Sequence, residues 1–257
     1  MQTIDKSALA LPQIVSDWID NAALTDTSGH SGDKTYFVDR MPPAYLKISP
    51  KGKFARAAMM QRYWASKGLS GDVLLYHSDN RDYIAVAPVP GKNGIAPEHL
   101  AEPEKLSRVF GASLRKLHDT PCEDCPVDLL AALLNEAQTR AFQQWPMDDL
   151  RPFIGEASTD AAREEVAANA HLLKRDALVH GDYCLPNIML QNWQLTGFID
   201  IAEGGIADRH YDLAWGLWTI MYNLKDKQYG EMFLNAYGRD AIDPARLRIC
   251  ALLASME

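Results

Sequence analysis

The sequence is short of cysteine, of long apolar runs and of basic charge, and each shortage narrows what the chain can be. Of 257 residues only four are cysteine, and only Cys122 and Cys125 stand in a C-x-x-C pair. No second pair and no histidine lies at ligand spacing, and no β-α-β redox context surrounds the pair. Structural zinc and thiol–disulfide chemistry are therefore disfavoured, and the two read as loop cysteines. The longest apolar stretch, Leu213 to Leu224, is broken by Asn223 and is too short to span a bilayer. Asp5, Lys6, Asp17 and Asp20 interrupt any signal-peptide core near the start. A soluble, cytoplasmic protein without a membrane partner is the expectation. Basic residues are outnumbered, 26 against 34 acidic, for a formal net charge of −8. That argues against a nucleic-acid partner and suits a cationic ligand. No repeat or low-complexity segment stands out.

What is present is ordinary in bulk and unusual in one place. Hydrophobic content of 47% and charged content of 23% are those of a globular protein, with room for one large domain or two lobes sharing a cleft. The unusual stretch is His180–Gly181–Asp182–Tyr183–Cys184–Leu185–Pro186–Asn187, followed by Gly197–Phe198–Ile199–Asp200. Asp182 and Asn187 have the spacing of a kinase catalytic-loop Asp and its Asn, and Asp200 ends the next apolar run, where a second Asp holds magnesium. Phosphoryl transfer needs these residue types: one carboxylate to accept or orient a hydroxyl proton, and oxygens that offer themselves to a hard cation between phosphates. Leu178 and Val179 read as a short buried strand feeding the loop. Residues 188–190 and 195–199 flank Gln191–Asn192–Trp193–Gln194 as a β-hairpin, which sets Asn187 and Asp200 at neighbouring strand ends. Cys184 in the loop reads as a small apolar filler.

Along the rest of the chain, Leu11 to Asn21 reads as a short helix and Thr25 to Asp33 as a polar loop. Strands are expected at Thr35–Val38, Ala44–Ile48, Val73–Tyr76 and Tyr83–Ala87, with a helix over Lys53–Lys67 ending at Gly68. This β-β-α-β-β order matches a small nucleotide-gripping lobe. Pro88–Val89–Pro90–Gly91 reads as a hinge at about 87–92. It divides a nucleotide-binding lobe, 1–90, from a catalytic and substrate-binding lobe, 91–257. Helices are expected over Glu102–Thr120, Ala131–Phe142, Ser158–Arg175, Tyr211–Asn223, Gln228–Tyr237 and Pro244–Glu257, the last with Asp243 as its N-cap.

Lys47, flanked by apolar neighbours in Tyr45–Leu46–Lys47–Ile48, must place its ammonium usefully or bear a burial cost, and in kinases that position meets the α- and β-phosphates. Gly29 to Gly32 would form a flap over the phosphates, with Ser28 and Ser31 contributing small polar groups. The P-loop spacing GxxxxGK[ST] is absent. In the hinge Pro88 and Pro90 have no N–H, which leaves Val89 as donor and the Ala87 carbonyl as acceptor for an adenine edge.

Together these residues resemble the aminoglycoside 3′-phosphotransferase family. The words that carry the resemblance are YLKI at Tyr45, SKGL at Ser66, LRKLH at Leu114, HGDYCLPN at His180 and GFIDIAEGGIADRHYDLAW at Gly197. It implies an α+β, two-lobed protein-kinase-like fold, with a small β-rich N-lobe and a mainly helical C-lobe. It also implies transfer of the γ-phosphoryl group from ATP, sometimes GTP, with Mg²⁺, to a hydroxyl of an aminoglycoside, and so antibiotic resistance. By resemblance Asp182 is the catalytic base, Asn187 and Asp200 are metal ligands, Lys47 is the phosphate lysine, and Ala87 with Val89 is the adenine hinge. Asp212 is a buried acceptor bracing the catalytic loop, and Asp208 and Arg209 shape the floor of the substrate side.

The sequence departs from the family at two places. The first helix of the family carries a glutamate that pairs with the phosphate lysine; here that position is Ala57. The family's acidic-aromatic tail is replaced by Leu252–Leu253–Ala254–Ser255–Met256–Glu257, with Glu257 as its chief anion. Asp148 and Asp149, in an expected loop from Trp145, are the substitute carboxylates for drug amines. The altered tail keeps open a kinase of the same fold acting on another hydroxyl compound, such as a sugar, an amino alcohol or a macrolide. Ala57 keeps open a nucleotide-binding pseudokinase, against which the presence of Asp182, Asn187 and Asp200 argues.

Overall fold

The computed structural model describes residues 3–28, 33–141, 144–156 and 161–256. They fall into two compact units, Met1–Val89 and Pro90–Glu257.

The first unit is an antiparallel sheet with one helix on each face. Its strands are β1 (Thr3–Ile4), β2 (Ala23–Asp26), β3 (Lys34–Asp39), β4 (Ala44–Pro50), β5 (Val73–Ser78) and β6 (Arg81–Val86). They lie in the order β1-β2-β3-β4-β6-β5. Strand periodicity sorts the side chains onto two faces. Tyr36, Val38, Leu46, Ile48, Tyr83 and Ala85 pack with Val15 and Ile19 of helix α1 (Gln13–Ile19). On the opposite face Ile84 packs with Phe54 and Ala58 of helix α2 (Phe54–Ser66), with Ala57, Val73 and Tyr76 around them. Lys47 alternates with Leu46 and Ile48 and pairs across to Thr35 and Ile84, so it belongs to the α2 face. Helix α2 begins where the buried Asp82 carboxylate accepts the Phe54 N–H at 2.7 Å. It ends at Gly68, whose φ of +69° suits glycine at that stop.

One expectation fails here. Thr25 and Asp26, read as loop, belong to β2, with Thr25 paired to Phe37 and Asp26 to Tyr36. Backbone pairing to β3 outweighs the polarity of their side chains.

The second unit is mainly helical. Strand β7 (Lys92–Asn93) precedes helices α3 (Pro97–Leu100), α4 (Pro103–His118), α5 (Leu129–Glu136), α6 (Gln144–Ile154) and α7 (Ala162–Asn169). Strands β8 (Ala177–Val179), β9 (Ile188–Gln191), β10 (Gln194–Phe198) and β11 (Gly205–Ala207) follow. Helices α8 (His210–Leu224), α9 (Lys227–Tyr237) and α10 (Pro244–Ala254) complete it. Strand β9 pairs with β10 and β7, and β8 pairs with β11. Helix α4 lies tight on α9 because Gly111 has no side chain: a Cβ there would stand 2.2 Å from the Phe233 carbonyl oxygen.

Residues 145–149 lie inside α6 rather than in a loop. Pro146 falls in the first turn, where a missing N–H costs nothing, so it starts the helix instead of preventing it. The helix expected over 131–142 starts earlier, at Leu129, because Asp128 caps it by accepting the Ala131 N–H at 3.0 Å. The one expected over 158–175 is the shorter α7 with a 3₁₀ turn at Ala170–Leu172. Helix α10 is capped by Asp243 and ends at Ala254. Cys122 and Cys125 are not disulfide-bonded and stand at the two ends of a turn closed by the Cys125 N–H on the Cys122 carbonyl. No helix among the described residues is long and apolar enough to cross a membrane.

Candidate active site

The buried strand β8 delivers the chain into the loop His180–Asn187, and the loop's own side chains then fix its shape. The His180 ring is enclosed, with Nε2 at 2.9 Å from the Ile199 carbonyl. The Asp182 N–H approaches Nδ1 at 3.2 Å. These partners assign the proton to Nε2 and leave Nδ1 as acceptor. Gly181 has φ +85°, and a Cβ there would stand 2.5 Å from the Glu203 carbonyl oxygen, so only glycine fits. Tyr183 is buried, stacks on Phe110 at 4.4 Å and donates to the Phe110 carbonyl at 2.8 Å. Burial and the Asp212 charge push its pKa well up. Cys184 is likewise buried, and its thiol is pushed well up by burial and by Asp182.

Asp182 and Asn187 meet side chain to side chain. Asn187 Nδ2 donates to the Asp182 carboxylate at 2.8 Å and to the Asp182 carbonyl at 3.0 Å. Both amide protons are then used, which leaves Asn187 Oδ1 for another partner. The hairpin is as the sequence predicts. Phe198 pairs with Ile188, and the Ile199 N–H reaches the Asn187 carbonyl at 3.0 Å. Asn192 and Trp193 at its tip both have positive φ, 52° and 63°, as a two-residue turn requires. Asn187 and Asp200 therefore stand at neighbouring strand ends. Asp200 is exposed and left-handed, with φ 56°.

Asp212 is the loop's buried anchor, in agreement with its expected place. Its carboxylate accepts the His180 N–H at 2.6 Å and the Gly181 N–H at 3.0 Å. It also takes His118 Nε2–H at 3.3 Å. Behind it stands a relay that sequence reasoning missed. Arg209 donates to the Tyr237 hydroxyl at 3.4 Å, and Tyr237 donates to His118 Nδ1 at 2.9 Å. Burial lowers the His118 pKa, so the ring is neutral and its Nε2–H faces Asp212. Burial pushes the Tyr237 pKa up to about 12. His118 closes the LRKLH segment, but its partner Asp212 lies 94 residues on, beyond any local signal. From α8 the Thr219 hydroxyl accepts the Leu185 N–H at 3.3 Å, a second brace without a sequence mark.

Asp208, expected to shape the floor of the substrate side, lies in the interior. It is fully buried, and its oxygens accept the His210 and Lys174 N–H groups, His210 Nδ1 at 2.7 Å and Arg246 Nε at 2.8 Å. Burial raises its pKa, but these bonds win and hold it down at about 2. A carboxylate so occupied is a node of the framework that joins the segment before β8 to α8 and α10. Arg209 is turned the same way, toward Asp176 and Tyr237. Asp176 also binds Arg246 at 2.6 Å, which ties α10 into this node.

The remaining expected residues are scattered by role. Asp148 is exposed and paired with Arg151 at 2.7 Å. Asp149 is half-buried, and burial raises its pKa. Ser31 and Glu257 lie outside the described residues. The Ser28 hydroxyl accepts the Thr35 N–H at 3.0 Å, which anchors the end of β2 to β3. The Ala87 N–H is bonded to the Asp72 carbonyl at 2.8 Å, and Gly71 lies against the Ala87 carbonyl, where a Cβ would stand 1.9 Å away. Val89 is half-buried at the end of the first unit.

No group of three or more His, Cys, Asp or Glu side chains among the described residues could hold a metal alone. Asn187 Oδ1 and the Asp200 carboxylate are hard oxygen donors, the type magnesium takes from a protein when phosphates and water complete its shell.

The model of the phosphotransferase enzyme family matches residues 12–250. A probable aminoglycoside 3′-phosphotransferase of Lactococcus lactis subsp. lactis (strain IL1403) is 34% identical over 240 residues, covering 93% of this chain and 92% of that one. An aminoglycoside 3′-phosphotransferase of Niallia circulans is 28% identical over 231 residues, covering 86% and 87%. The fold is shared with the aminoglycoside phosphotransferase APH(3″)-Id of Streptomyces rimosus, solved with ADP and streptomycin. That likeness has a TM-score of 0.71 at 20% identity and covers 98% of both chains.

Proposed function

The chain belongs to the phosphotransferase enzyme family, and we propose that it transfers the γ-phosphoryl group of ATP to a hydroxyl of an aminoglycoside, as the printed names of its relatives suggest. The observation that carries the mechanistic part is the Asp182–Asn187 contact at 2.8 Å, inside a loop braced by Asp212. Asp182 accepts the hydroxyl proton as the acceptor oxygen attacks, and Asn187 holds that carboxylate in one orientation. Such a positioned base supplies about 10²–10⁴-fold in rate. Asn187 Oδ1 and Asp200 would hold Mg²⁺, which would neutralise phosphate charge during the transfer. Lys47, on the α2 face of the first unit, meets the α- and β-phosphates. The Val89 N–H and the Ala87 carbonyl receive the adenine edge, and Ser28 belongs to the loop over the phosphates.

On the acceptor side, Asp148 and Asp149 of α6 offer carboxylates to ammonium groups, within a chain of net charge −8. The raised pKa of Asp149, driven by its burial, is the cost that a bound cation would repay. The test is ATP consumption at millimolar Mg²⁺ with a panel of kanamycin, streptomycin, a macrolide and simple amino alcohols. Turnover dependent on the aminoglycosides supports the reading; turnover only with the others, or none, contradicts it.

A further inference from the structure

Under the function proposed above, Lys47 must be aimed, yet the helix beside it has alanine where a carboxylate would do so. The α2 face of the sheet shows what stands nearby. Thr35, Lys47 and Ile84 form one cross-strand row, and Ile84 packs against the cluster that includes Ala57 and Ala58. Two residues along the same face come Ser49 on β4 and Asp82 on β6, which pair with each other, and Asp33 just before β3.

Asp33 is gripped from both sides. Ser49 Oγ donates to it at 2.7 Å, and Lys53 Nζ approaches its two oxygens at 3.0 and 2.8 Å. Ser49 is two positions from Lys47 on one strand face, and Lys53 is the N-cap residue of α2, whose first turns carry Ala57. The carboxylate is thus bracketed by the strand that carries Lys47 and the helix turn that carries Ala57. Diagonal cross-strand neighbours are about 7–8 Å apart, within reach of a lysine stem. The Asp33 side chain is only 14% exposed. Burial works to raise its pKa, but the hydrogen bonds of Lys53 and Ser49 and the charges of Lys53 and Lys47 hold it below the ordinary value. Asp82, the other carboxylate of that row, is engaged elsewhere: it accepts the Phe54 N–H and the Ser78 hydroxyl, each at 2.7 Å.

We propose that Asp33 stands in for the carboxylate absent at position 57, as a positioning residue that orients the Lys47 ammonium toward nucleotide phosphates. Two ways of placing one negative charge beside the same lysine exist on this face, one from the helix and one from the strand edge, and this chain uses the second. The inference rests on Lys47 being the phosphate lysine.

The experiment is ADP binding by calorimetry, with ATP kinetics, on five variants of the whole chain. Lys47→Met comes first: it weakens ADP binding if the underlying reading holds, and unchanged affinity overturns that reading and Asp33's role with it. Asp33→Asn then raises the ADP Kd and the KM for ATP about tenfold, with a smaller change in kcat. Ala57→Glu restores most of that loss in the Asp33→Asn background and alone changes KM by less than about twofold. Lys53→Met, which removes Asp33's ion pair but keeps its charge, leaves ADP binding within about twofold. With Lys47→Met impaired, an Asp33→Asn protein of normal affinity, or one that Ala57→Glu fails to rescue, overturns the proposal alone. A Lys53→Met protein as impaired as Asp33→Asn overturns it too, because the role would then be structural. Should Asp33→Asn not fold, Ala57→Glu alone decides: a gain in ATP affinity of about tenfold would mean that Lys47 was not already paired.

Discussion

Asn187 holds Asp182 by its side-chain amide at 2.8 Å, so the two residues five apart in the loop act as one constellation. Asp182→Ala is expected to lower kcat by about 10²–10⁴-fold while leaving nucleotide affinity nearly unchanged. Single-turnover rates beside ADP calorimetry separate the two effects. A variant as fast as the parent would remove Asp182 from its role.

Asp200 stands at the strand end beside Asn187, exposed and in a left-handed conformation. Asp200→Ala should abolish the part of ATP binding that depends on Mg²⁺. Calorimetry with and without millimolar Mg²⁺ checks this, and equal enhancement by the ion in both proteins would refute the ligand assignment.

Asp212 accepts two loop N–H groups and a neutral histidine in the interior. Asp212→Ala leaves those donors without a partner, at about 1–3 kcal/mol each. We expect a fall of several degrees in Tm together with lost turnover. His118→Phe, which breaks only the outer relay, should cost less of both.

Asp208 has its pKa held near 2 in the folded chain by His210, Lys174 and Arg246, against about 3.9 in an unfolded one. A depressed carboxylate pKa contributes stability in full above the unfolded value and loses it as pH falls through the folded one. Tm should therefore drop between about pH 5 and pH 2, and Asp208→Asn should be less stable at pH 7 but flatter over that range. An unchanged pH slope in the variant would show that other groups carry the acid transition.

The parts of the fold that were legible in the sequence are those fixed by neighbours along the chain. The loop from His180 to Asn187, the hairpin with its Asn192–Trp193 tip, the alternation that sends Lys47 to one face and Leu46 to the other, and the Asp243 cap all depend on residues a few positions apart. The polar run hid β2 because Thr25 and Asp26 are strand residues only through their pairing with β3. Pro146 hid α6, because a proline in the first turn reads as a loop residue until the helix is seen to start there. The site's supports were hidden most completely: His118 and Asp212, or Asp176 and Arg246, meet only after the second unit has folded. The framework place of Asp208 was hidden for the same reason, since two of the groups that bind its oxygens, Lys174 and Arg246, come from distant segments.

The most direct test of phosphoryl transfer to an aminoglycoside is mass spectrometry of kanamycin after incubation with the protein, ATP and Mg²⁺, with the Asp182→Ala chain run beside it. The expected result is drug that gains one phosphoryl group with the native chain and stays unmodified with the variant. Unmodified kanamycin and unmodified streptomycin in both reactions, from a protein that binds ATP, would contradict it.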